Sequence, residues 1–165
     1  MRTTTPKVKK NEAEKSIMKL TSPEFKDGKF MPEKYGNTRQ NVNPPLEIEE
    51  VPEEAESLVL IMDDPDAMEP AGKIWEHWTI WNIPADIEKI EEDSGPGIEG
   101  MTDFRQRGYG GPNPPDGVHT YYFKLYALDT ELDLEKDSRK EDVEKAMDGH
   151  VLEETELTAK FDRLS

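Results

Sequence analysis

Leu58-Val59-Leu60-Ile61-Met62 is a continuous apolar run, and Asp63-Asp64-Pro65-Asp66-Ala67 closes it at once with three carboxylates and a proline. Unbroken apolar runs of this length bounded by turn residues read as strands covered on both faces. The segment is therefore the central strand of a β fold. Trp75 to Ile83 and Tyr121 to Leu128 are rich in aromatic and branched side chains and read as further strands. In the second, Tyr121, Phe123, Leu125 and Ala127 point one way and Tyr122, Lys124, Tyr126 and Leu128 the other. Upstream, Leu46 and Ile48 alternate with Glu47 and Glu49, the period of a half-buried strand.

Towards the start, Ile17, Met18 and Leu20 precede Lys26-Asp27-Gly28-Lys29, whose Asp-Gly step predicts a turn with short strands around it. Ser94-Gly95-Pro96-Gly97 and the span from Gly108 to Gly117 exclude regular structure and leave backbone amides open to close approach. Ser138 and Glu141 have the spacing of a capping box, and Val143, Ala146 and Met147 recur at helical intervals until Gly149. Val151 to Leu164 is expected to form a second helix. No internal repeat or heptad run is present.

At 165 residues the chain fits one domain. Hydrophobic residues make up 33% and charged residues 35%, a mixture that leans towards polar margins. Most of the three Trp, five Tyr and five Phe nevertheless fall between residues 75 and 126, so the middle of the chain can bury a core. Residues 1 to 15, with Arg2, Lys7, Lys9, Lys10 and Lys15, are expected to be a disordered basic arm, and 16 to 165 the folded domain. A net charge of −16 repels phosphate backbones and anionic lipid surfaces, so neither nucleic acid nor stable membrane association is expected. No apolar span or leader pattern is seen, and the expectation is a soluble cytoplasmic protein. The absence of cysteine excludes disulfides, thiol catalysis and cysteine metal sites.

Two of the three histidines, His77 and His119, stand at the edges of the aromatic strands beside glycine-rich loops. An imidazole there can act as a neutral ligand, a proton carrier or a local cation; a buried structural histidine is the plainer alternative. Asp64 and Asp66 end a strand as any polar turn would, and gain interest if one of them orients a histidine. His77, His119 and Asp64 or Glu76 would also suit zinc or iron as ligands. Trp75, on the face of His77, and Tyr109, beside its glycines, are candidates to wall or support a pocket, with core packing the alternative; Asp66 is a candidate support. His150, after Gly149, reads as a capping or packing residue.

Five motifs in order, Asp64-Pro65-Asp66-Ala67, His77-Trp78, Asn82-Ile83-Pro84, the stretch from Gly108 to His119, and Tyr126-Ala127-Leu128-Asp129, resemble the phosphatidylethanolamine-binding protein family. The likeness is to its bacterial and archaeal, Raf-kinase-inhibitor-like branch, and runs from about Met18 to Arg163. It implies a mainly β fold of two antiparallel sheets with a few peripheral helices, one of them a C-terminal helical segment. It also implies an anion pocket rather than an enzyme site, built here from Asp64, His77, His119, Tyr121, Gly111 and Pro112, with no cofactor. Three positions depart from the family pattern: Met68 for proline, Thr120 for arginine and Phe161 for tyrosine.

The expected ligand is a small phosphate- or carboxylate-bearing group, free or on a partner protein such as a kinase or protease. Protonation of His77 and His119 would strengthen its capture as pH falls. A metal-assisted hydrolase using His77, His119 and Asp64 is the alternative. Exposed aromatics near the loops would suit a homodimer.

Overall fold

The computed structural model describes residues 17–164; the expected basic arm over residues 1 to 15 lies outside the described residues. Among the described residues nine strands form two sheets. The smaller sheet joins β1 (Lys19–Thr21), β3 (Leu46–Glu49) and β6 (Lys89–Ile90) in the order β1-β3-β6. The larger holds β2 (Lys29–Phe30), β4 (Ser57–Asp64), β5 (Trp75–Pro84), β7 (Ile98–Glu99), β8 (His119–Leu128) and β9 (Val151–Phe161). Its order is β2-β9-β8-β4-β5-β7. Pairing is antiparallel except between β2 and β9, which run parallel. The short strands on either side of the Asp27-Gly28 turn thus exist but enter different sheets.

Every residue of β4 is buried, as its apolar run demands, and its side chains divide between two cores. Leu58, Leu60 and Met62 pack with Trp78, Ile80, Phe123 and Leu125 against Leu20, Leu46 and Ile48 of the smaller sheet. Val59 and Ile61 lie on the other face with Trp81, Tyr126 and Leu128, covered by Val143 and Met147 of helix α2 (Lys140–Met147). A one-turn helix, α1 (Met68–Ala71), follows the turn at the end of β4. The first turn of α2 is held by Asp142, whose carboxylate accepts the Arg139 N–H at 3.0 Å, so the expected cap at Ser138 is displaced by one residue.

Two irregularities in β5 decide how its side chains are aimed. The register with β4 shifts between Leu58 and Leu60 and again between Met62 and Asp63. At the first, Asn82 adopts φ 54° and its amide clamps Leu132, donating to the carbonyl at 2.8 Å and accepting from the N–H at 2.7 Å. At the second, Trp78 faces Met62 while Glu76 faces Asp63, which leaves His77 as the extra residue of a bulge. Bulges re-aim side chains. Here His77 and Trp78, neighbours that strict alternation would separate, both turn towards the first core.

The expected helix over Val151 to Leu164 is instead β9, paired with β8 from Leu128↔Val151 to His119↔Phe161. Its glutamates suit a helix, yet Leu157, Ala159 and Phe161 are buried at a period of two. Burial of that face against the sheet overrides the weak local preference. His150 does sit at the end of α2: its N–H donates to Met147 O at 2.8 Å and its ring meets Asp129 at 2.8 Å.

Candidate functional site

Where β4 ends, β5 begins and β8 begins, the three central strands bring Asp64, His77, His119 and Tyr121 around one cavity of about 210 Å³. Trp75 lines it as expected. Phe104, Pro114 and Pro115 come from loops, and Pro70 and Ala71 from α1.

His119 is the electrostatic centre. Its Nδ1 meets Asp64 Oδ2 and its Nε2 meets Asp116 Oδ1, both at 2.6 Å. Burial raises the Asp64 pKa; while both carboxylates are ionised, both ring nitrogens donate and the ring is an imidazolium. Burial alone would push its pKa down; the bonds and charges of Asp64 and Asp116 more than offset this and hold it above the ordinary histidine value. Asp64, itself buried, has a second tie: its Oδ1 accepts the Asp66 N–H at 2.9 Å. Exposed Asp66 in turn accepts the Thr120 N–H at 2.8 Å, binding the turn after β4 to the start of β8. This link uses backbone, so the missing arginine side chain at 120 does not break it.

His77 differs. Its Nδ1 donates to Gly110 O at 2.7 Å, and burial pushes its pKa down to about 4. It is neutral at neutral pH, with Nε2 left as an acceptor. The expectation that both histidines charge together as pH falls is therefore corrected: desolvation keeps His77 uncharged and only His119 carries the cation. Beside it, the Tyr121 ring stands edge-on at 5.1 Å, with its buried hydroxyl near the Asp64 carboxylate and the Asn113 backbone. Burial and the Asp64 charge both raise that hydroxyl's pKa.

Gly111 and Pro112 do not line the cavity, contrary to expectation, and Tyr109 stands behind it as a support and not in its wall. The Gly111 N–H is spent on Asn41 Oδ1 at 2.7 Å, and Pro112 O accepts from Asn37 N–H at 2.9 Å. The Tyr109 hydroxyl donates to Tyr35 O at 2.9 Å while its ring packs edge-on against Trp78. These residues bolt the loop to the segment around Gly36. Gly110 is likewise engaged, its N–H donating to His77 O at 2.8 Å. The Gly108, Gly110 and Gly111 amides are thus structural, not free donors. Phe161 is buried in the first core and is not part of the cavity wall.

Asp116 and Phe104 are the residues that sequence reasoning missed. Phe104 packs edge-on against both Trp75 at 5.8 Å and His77 at 5.3 Å, completing an aromatic wall. Glu76 points elsewhere, into an ion-pair cluster with Lys73 at 3.8 Å and Arg139 at 3.5 Å, which Asp103 also joins. Among the described residues no group of three or more His, Cys, Asp or Glu is disposed to hold a metal ion. The donor set explains this: His119 commits both nitrogens to carboxylates and Glu76 faces away.

The family model for the phosphatidylethanolamine-binding protein matches residues 21–162. The chain belongs to that family. The UPF0098 protein of Methanothermobacter thermautotrophicus is 47% identical over 153 residues, covering 88% of this chain and 99% of the relative. That of Pyrococcus abyssi is 43% identical over 157 residues, covering 88% and 86%. Among family members of known structure, a Chlamydia trachomatis homolog superposes with a TM-score of 0.86 at 36% identity, covering 90% of this chain and 99% of that one. E. coli YbcL, described as a member of the mammalian family, gives 0.81 at 28% identity with the same coverage. No helix among the described residues is long and apolar enough to cross a membrane.

Proposed function

We propose that the chain is a binding module for a small anionic group, a phosphate or carboxylate, taken at Nε2 of His119. The observation that carries this reading is the buried His119 ring in the cavity lining, whose Nε2 already engages a carboxylate oxygen at 2.6 Å. An N–H⁺ donor in a low-dielectric site makes a strong charge-assisted bond to an oxyanion, and it does so locally despite a net charge of −16. The Tyr121 hydroxyl, beside Asp64, offers a second donor from the same wall. A phosphorylated or acidic side chain of a partner, such as a kinase or protease, presents the same group as a free ligand. Binding rather than catalysis is favoured because the described lining residues include no Ser, Thr or Lys beside the histidines.

The test is NMR of the histidine ring resonances during titration with inorganic phosphate and with phenyl phosphate between pH 5.5 and 8. The His119 signals should move with at least one probe, and the response should fade as pH rises through the raised His119 pKa. Signals that stay put with both probes at tens of millimolar refute the reading.

A further inference from the structure

We propose that Asp116, next in sequence to the lining residue Pro115 and bonded to the lining residue His119, selects the ligands of this cavity from its rim: its carboxylate holds His119 Nε2, so an anion reaches that nitrogen only by exchanging with it. This rests on the anion reading of the site. The two partners are unequally exposed, 4% for the His119 side chain and 47% for that of Asp116. The donor is fixed in the wall and the acceptor can leave it.

The backbone around Asp116 is pinned on both sides. Pro112 O accepts from Asn37, and Gly117 O accepts from Arg163 N–H at 3.1 Å, with Gly117 at φ 138°. Pro114 and Pro115 stiffen the stretch between them. Exchange is therefore a rotation of one half-exposed side chain into water, with the loop left in place. Asp64 cannot play this part, since it is buried and tied to both His119 and the Asp66 N–H.

The consequence is a rule for what binds. Replacing one oxyanion by another on the same N–H leaves the count of charge-assisted bonds unchanged, and a tethered carboxylate competes at high effective concentration. A ligand's apparent affinity falls by the fraction of time the position is vacant. A bare anion gains little from the exchange. The rest of the cavity is mostly apolar: Asn113, His77 and Tyr121 are polar members, and Trp75, Phe104, Pro70, Ala71 and Pro115 wall it. Ligands that qualify are anions joined directly to an apolar or aromatic group that covers those side chains.

Calorimetry on the full chain tests this with inorganic phosphate and phenyl phosphate as probes, comparing wild type, Asp116→Asn, Asp116→Ala and Glu69→Gln. Glu69, exposed on α1, removes the same formal charge without touching His119. In the wild type, phenyl phosphate should bind about tenfold or more tightly than inorganic phosphate. Asp116→Asn should tighten both by about tenfold, Asp116→Ala should act in the same direction, and Glu69→Gln should change neither by more than about twofold. Equal affinities in wild type and Asp116→Asn, or an equal gain in Glu69→Gln, overturn the proposal. So does equal binding of the two probes to wild type. If neither probe binds any variant and the His119 resonances stay unmoved, the anion reading itself has failed.

Discussion

Replacing His77 by glutamine should flatten the acid side of the stability profile. In the unfolded chain the imidazole titrates near 6.5, while burial in the fold depresses it to about 4. A base whose folded pKa is lowered contributes its full stability above the unfolded value and loses it as pH falls, because the unfolded state takes up a proton that the native state refuses. A gap of that size corresponds to about 3 kcal/mol once both values are passed. About 2 kcal/mol of it is lost between pH 7.5 and 5. Urea unfolding midpoints of wild type and His77→Gln at half-unit steps over that range isolate the effect, since carboxylate titrations common to both cancel in the difference. The variant starts less stable at pH 7.5, having lost the ring contacts with Phe104 and Tyr121. The two curves then converge by about 2 kcal/mol at pH 5. Curves that stay parallel, or an NMR titration of His77 with its midpoint between 6 and 7, refute the desolvation argument.

Asp64→Asn removes one of the two carboxylates facing His119, so the His119 pKa should drop back towards the ordinary range, read by NMR. Gly111→Ala would set a Cβ 2.1 Å from Tyr35 O and 2.9 Å from Asn37 N, both backbone atoms that cannot step aside. A loss of about 3 kcal/mol in urea unfolding is expected, as for other overpacked sites. Lys140→Met keeps the buried methylenes but takes from Asp63 its 2.8 Å partner, leaving Lys124 at 3.1 Å. It should cost about 2–3 kcal/mol by the same assay, less than a buried carboxylate left wholly alone.

The strands that built the site were legible because their chemistry leaves one option. Leu58 to Met62 can only be satisfied by apolar cover on both faces, and the alternation from Tyr121 to Leu128 assigned Tyr121, Phe123, Leu125 and Ala127 to one core and Tyr126 and Leu128 to the other. β9 was illegible because its neighbour decides it: Glu153, Glu154 and Glu156 favour a helix until β8 offers a ladder for Leu157, Ala159 and Phe161. The convergence of Asp64, His77, His119 and Tyr121 was implied by the family resemblance those motifs carry, but the direction of His77 depends on a bulge that no local spacing announces. Asp116 escaped notice since a loop aspartate looks like any solvated acid until its distance to His119 is known. Gly111 and Pro112 sat in the right loop with the wrong role, for their polar groups answer Asn41 and Asn37, partners some seventy residues away.

β9 lies inside the larger sheet, between β2 and β8, and its parallel rung joins Lys29 to Ala159. A ribosome making this chain must release Phe161 before β8 gains its second neighbour and before the residue opposite His119 is in place. Until then β8 exposes an open ladder edge on the nascent protein, a surface that invites pairing with other chains. The rung from Lys29 to Ala159 closes last across well over a hundred residues, the kind of long-range pairing that slows folding, so conditions that suppress aggregation should raise the yield of folded protein.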